Sequence, residues 1–176
     1  AERFAGLCAQ GETIADSVVR ILDAHGITVV FADIDTVRQY DPASKTLHIS
    51  KLCNPATQTF QLLLQLALLT QTKLLDATLD LARFQSDEAR DIAKVGLANY
   101  FAGAALMPYA AVLAAAQETR HDLEVLSTRF GASLEQVAHR LSTMQRPGAK
   151  GIPFFFVRVD QAGTITKRHS ATPLQF

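Results

Sequence analysis

The sequence predicts an α+β fold that is predominantly helical, with a small sheet near its start and a C-terminal β-hairpin. Three observations lead there. Apolar residues recur at helical spacing over most of the stretch from Ile14 to Met144. Two short runs rich in β-branched residues, Ile27 to Ala32 and Thr46 to Ser50, interrupt that pattern early. Near the end, Phe154 to Val159 and Thr164 to Arg168 flank Asp160-Gln161-Ala162-Gly163, the composition of a hairpin turn. With 176 residues the chain can bury one sizeable core. Residues 1–147 read as a single domain, and residues 148–176 as a linker and hairpin that open a C-terminal one.

Taken in order, Ile14, Val18, Ile21 and Leu22 share a helical face, and Gly26 offers the left-handed stop that closes the helix near His25. The two early strands flank a loop holding Asp41-Pro42-Ala43-Ser44. Asn54-Pro55 is a strong helix start, because asparagine accepts from orphan amides and proline at the first helical position loses no needed donor. That helix is expected to run past Leu69 and break before Leu74. Ser86-Asp87-Glu88 starts an Ala-rich helix that Pro108 ends or kinks near Met107. Asp122 caps Leu123 to Arg129, Gly131 stops it, and Ser133 with Gln136 forms a capping box for Leu134 to Met144.

Composition removes several function classes. The 17 basic and 17 acidic residues cancel, so no large field is available to gather nucleic acid or an anionic membrane. The longest apolar run, Leu62 to Leu69, falls far short of the ~20 residues of a membrane span, and no basic-apolar signal segment opens the chain. A cytoplasmic protein is expected, with Cys8 and Cys53 as reduced core thiols. The absent initiator Met suggests an excised fragment. No pair among His25, His48, His121, His139 and His169 has the spacing that places two imidazoles on one helical face, so surface or capping roles are expected for each. There is no nucleophile elbow, phosphate loop or dinucleotide fingerprint, and nothing positive for an enzyme. Leu123 to Met144 has the outline of a helix-turn-helix with Gln136, His139 and Arg140 available to project, but a core helix pair is the preferred reading.

Phe60-Gln61-Leu62-Leu63-Leu64-Gln65-Leu66-Ala67-Leu68 fits, position by position, the F-x-L-A-H-E-x-G-H zinc helix of the ImmA/IrrE-like peptidases. It resembles that helix without its reactive residues: Leu64, Gln65 and Leu68 stand where His, Glu and His belong. A leucine can neither bind zinc nor activate water. Ala98-Asn99-Tyr100-Phe101-Ala102 matches the family's A-N-x-F-A segment, and the Glu ligand expected just before it is also missing among Lys94 to Leu97. The resemblance therefore implies a degenerate zincin-like domain with no metal and no catalytic residues. A zinc metallopeptidase with non-standard ligands is the alternative.

Further stretches narrow the family: Gly96 to Tyr109, Arg129-Phe130-Gly131-Ala132-Ser133 with Arg140-Leu141, and above all Arg146-Pro147-Gly148-Ala149-Lys150-Gly151-Ile152-Pro153 running on to Asp160. From about residue 15 to residue 176 the chain resembles the short-chain fatty acyl-CoA-responsive transcription regulators of actinobacteria, the RamB/PrpR type. That resemblance implies a sensor whose effector is an acyl-CoA or CoA, propionyl-CoA first. Promoter DNA would be bound by a helix-turn-helix domain absent from this chain, with a homo-oligomer allowed and no membrane partner. It also implies an iron–sulfur cluster in a C-terminal cysteine-bearing domain that this chain lacks.

Leucines in place of imidazoles turn a polar cleft apolar, which suits a ligand that is apolar at one end and phosphorylated at the other. Leu64, Leu68, Tyr100 and Phe101 are placed at the pantetheine or acyl end, and Arg20, Arg38, Arg158 and Lys167 among the phosphate partners. Read singly, each cation is a solvated surface charge and each leucine a packed core residue.

Overall fold

The computed structural model describes residues 1, 4 and 11–170. Across residues 11–170 it has seven helices and five strands, in two compact units, residues 1–106 and 107–176. Cys8 lies outside the described residues, and Cys53 is a free, half-buried thiol and not a core one.

From residue 11 on, the first element is α1 (Ile14–Ala24), capped by the Thr13 hydroxyl and closed at His25, with Gly26 at φ 72°. The His25 ring reaches back to the Ile21 carbonyl at 2.8 Å, so this histidine has the capping role expected of it. A three-stranded sheet follows: β1 (Thr28–Ala32), β2 (Arg38–Asp41) and β3 (Thr46–Ser50), in the order β1-β3-β2. β1 runs parallel to β3 and β2 antiparallel to it. The stretch expected to be loop thus contains β2, whose polar Arg-Gln-Tyr-Asp sequence carries no strand signal; the turn residues Asp41 to Ser44 close its hairpin with β3.

Helix α2 (Pro55–Thr70) starts as expected, the Asn54 side chain accepting from the Thr57 amide at 2.8 Å. It ends at Gln71, and α3 (Thr72–Leu79) follows, slightly earlier than the expected break. α4 (Asp87–Leu106) packs along α2. The core of this unit holds Val18, Leu22, Leu47, Ile49, Leu62, Leu63, Leu66 and Ala98, all at most 1% exposed. Each fully buried Val, Leu or Ile side chain contributes roughly 1.5–3 kcal/mol.

The second unit contains α5 (Tyr109–Glu118), α6 (Leu123–Phe130), α7 (Leu134–Ser142) and the hairpin β4 (Phe155–Val159) with β5 (Ile165–Ser170). α5 has no expected counterpart: Pro108 ends the preceding helix and then serves as the residue from which the next one starts. Asp122 caps α6, Gly131 ends it at φ 57°, and the Ser133/Gln136 capping box is complete. Gly151 packs closely: a Cβ there would sit 3.1 Å from Met144 Cβ, so Met144 would have to give by a few tenths of an ångström, and the Gly151 amide donates to the Met144 carbonyl at 2.8 Å.

The helix-turn-helix outline of α6 and α7 does not present a reading face. Arg140 is 3% exposed, and its Nε donates to the Met107 carbonyl at 2.8 Å. Gln136 is consumed by the cap and His139 packs against Phe156 and His169. His139 and His169 are therefore packed side chains, not the surface residues expected.

Candidate functional site

The candidate site is the polar edge of α2. Gln61, Leu64, Gln65 and Leu68 recur at three- and four-residue intervals and so share one helical face. Leu64 and Gln65 are buried, Gln61 and Leu68 half-buried. Opposite this face β2 supplies Arg38. In the antiparallel register Arg38 pairs with Ile49 and Tyr40 with Leu47, and both β3 partners are fully buried, so Arg38 and Tyr40 lie on the inward face of the sheet.

Arg38 Nε donates to Gln65 Oε1 at 3.0 Å and its Nη1 donates to Gln61 Oε1. The arginine is half-buried, and desolvation lowers its pKa from the ordinary guanidinium value. Both partners are neutral amides, so the positive charge is held without a carboxylate among the described residues.

The remaining expected site residues divide between the two units. Phe101, on α4, is 7% exposed and belongs to the core beside α2, whereas Tyr100, next along α4, is 49% exposed. Arg20 is exposed on α1 and pairs with Glu12 at 3.0 Å. Arg158 and Lys167 belong to the second unit, where both reach Glu135 on α7, at 3.1 and 2.6 Å. These two bonds pull the Glu135 carboxylate below its usual range, Lys167 contributing most. Sequence reasoning named Arg38 but missed Gln61. The available signal was the four-residue spacing of Gln61 and Gln65, two long amides on an otherwise apolar helix.

Metal chemistry does not fit this helix. Leu64, Gln65 and Leu68 occupy the positions that zinc and its general base would need, and among the described residues no group of three or more His, Cys, Asp or Glu is placed to hold a metal ion. Two cysteines in the whole chain do not supply the usual four ligands of an iron–sulfur cluster. No single described helix is long and apolar enough to cross a membrane.

Residues 22–142, well over half of the chain, match the family model of the IrrE N-terminal-like domain. The chain belongs to that family. Residues 143–176 match a second model, the C-terminal region of the short-chain fatty acyl coenzyme A regulators. Both assignments agree with the resemblance carried by the degenerate zinc helix and the Arg146 to Asp160 run.

Among relatives, the propionyl-CoA carboxylase regulator of Cereibacter sphaeroides is 59% identical over the whole chain, which spans 38% of that protein. The HTH-type transcriptional regulators PrpR and RamB of Mycobacterium tuberculosis are 47% and 43% identical, over 88% and 94% of the chain and 32% and 36% of their own lengths. The chain thus spans about a third of the length of these curated relatives. A solved Mycobacterium tuberculosis transcriptional regulator superimposes with a TM-score of 0.87 at 42% identity, over 94% of this chain and 52% of that one.

Proposed function

We propose that this chain is the ligand-sensing module of a cytoplasmic transcription regulator, that its effector is a short-chain acyl-CoA with propionyl-CoA first, and that promoter DNA is bound by a helix-turn-helix domain outside the chain. The observation that carries the reading is the exchange on α2. A helix of peptidase type has leucines in place of its metal ligands and, at the position of its catalytic Glu, a glutamine that accepts from a half-buried arginine. Such a helix has lost the groups that would bind zinc and activate water. Relatives named as transcription regulators, together with the acyl coenzyme A regulator match at residues 143–176, support a regulatory role over a hydrolytic one.

In this reading the accessible Tyr100 and Leu68 meet the pantetheine arm or acyl tip, with Leu64 and Phe101 as the packed floor behind them. Arg20 and Arg38 in the first unit, and separately Arg158 and Lys167 in the second, are each proposed as cations offered to phosphate. Arg158 and Lys167 share the single carboxylate of Glu135, so the trio keeps one excess positive charge. Discrimination between acyl tips that differ by one methylene would be modest, ~1–3 kcal/mol. The sensing domain is proposed to extend to residue 147, a boundary that the meeting of the two family models at residues 142 and 143 supports.

Native mass spectrometry of the chain after incubation with propionyl-CoA tests this reading. A stoichiometric adduct with the mass of the ligand is expected, and bare protein at saturating ligand overturns it.

A further inference from the structure

The Arg38 cluster has a consequence set by donor and acceptor chemistry. A guanidinium carries donors and no acceptor, so each glutamine bonded to it must present its carbonyl oxygen. That orientation turns both amide NH2 groups away from the arginine. Among the described residues neither Gln61 Nε2 nor Gln65 Nε2 donates to a protein acceptor, and Arg38 Nη2 also has no protein partner. Gln65 is only 6% exposed, yet its amide nitrogen is not among the sealed, unpartnered polar atoms. Three donors from two elements thus stay open around one cation that lacks a counter-charge. The described protein supplies neither the acceptors nor the negative charge that would complete the cluster.

We propose that Arg38, Gln61 and Gln65 form a donor cradle for an oxyanion, a carboxylate or phosphate group carried by the ligand. The proposal rests on the reading of α2 as the ligand-facing helix, and adds which group binds there and through which atoms. Gln61 and Gln65 are positioning residues for the guanidinium as well as donors in their own right. A carbonyl acceptor would satisfy the hydrogen bonds but leave the half-buried charge uncompensated, whereas an oxyanion answers both demands. In a zinc peptidase the metal supplies the positive charge that draws a substrate oxygen. Here a fixed guanidinium supplies charge without a coordinated water, so an oxygen is held and not attacked.

The test follows the Arg38 Nε–Hε signal by NMR in the 176-residue chain while adenosine 3′,5′-bisphosphate or malonate is added. The first probe offers phosphate, the second carboxylate. A saturable shift with either supports the cradle and names the source of the oxyanion. Arg38→Met lacks the reporting signal and is followed by calorimetric titration of the same probe, where binding should weaken about tenfold or more, in line with the loss of a charge-assisted contact. Gln65→Glu adds a resident counter-charge without changing shape, and should raise the melting temperature while abolishing the response. If neither probe shifts the signal, or if Gln65→Glu responds as the wild type does, the cradle is refuted. Titrating propionyl-CoA in parallel separates the two ideas. Propionyl-CoA binding that is unchanged in Arg38→Met refutes the cradle alone, and a probe response without any acyl-CoA binding refutes the sensor reading alone.

Discussion

His139 gives a pH dependence that can be worked through from its surroundings. Its ring lies on α7 with ring centroids 4.4 Å from His169 and 6.3 Å from Phe156, and the His169 ring is held by the Ser142 hydroxyl at 2.9 Å. Burial, the neighbouring His169 and the Lys167 ammonium push the His139 pKa from 6.5 down to about 4, with Arg140 adding slightly and Glu135 opposing. Between those two pH values the unfolded chain binds a proton at this position and the folded chain does not, so stability rises with pH across the window. The contribution is fully present above about pH 6.5 and is lost as the pH falls toward 4. At ~1.36 kcal/mol per pH unit the whole shift corresponds to roughly 3 kcal/mol, and solvent screening of a half-buried ring brings this to about 1–2 kcal/mol. Urea denaturation at pH 7.5 and pH 4.5 should show that extra loss in the wild type and not in His139→Gln. Groups remote from His139 cancel in the comparison, whereas the coupling between His139 and its neighbours is removed with the ring and counts as part of the measured difference. Equal losses in the two proteins, or an NMR titration midpoint for His139 near 6.5, would refute the reasoning.

Three further outcomes follow from single residues. Leu63→Ala removes a fully buried side chain from α2 and should cost about 2–5 kcal/mol in urea denaturation, with the site residues on the opposite edge of the helix untouched. Ser133→Ala breaks the capping box of α7 and should cost about 1 kcal/mol by the same assay. Elemental analysis of the purified chain should find far less than one equivalent of zinc, because the ligand positions on α2 hold leucines.

Much of the helical architecture was legible because its punctuation is local. Asn54-Pro55, Asp122, Gly131 and the Ser133/Gln136 pair each satisfy or release backbone groups within four residues, and the helix boundaries they imply are the observed ones to within a residue or two. β2 was illegible for the opposite reason. Arg38-Gln39-Tyr40-Asp41 has no strand pattern of its own and becomes a strand only by pairing with β3, a tertiary event. α5 was missed because Pro108 signals an end more strongly than a restart.

The site divides along the same line. The absence of zinc ligands could be read directly from Leu64, Gln65 and Leu68. The bond from Arg38 to Gln65, 27 positions away, could not, since it depends on where the sheet lays β2 over α2. His139 and His169, 30 positions apart, likewise read as separate surface residues until the hairpin packs one against the other.

The central claim is that a peptidase-type helix has become a wall for an acyl-CoA. Calorimetric titration of the 176-residue chain with propionyl-CoA tests it most directly. Saturable binding near one ligand per chain, weakened in Arg38→Met and in Tyr100→Ala, is the predicted result. No heat with propionyl-CoA or any other short-chain acyl-CoA would contradict it.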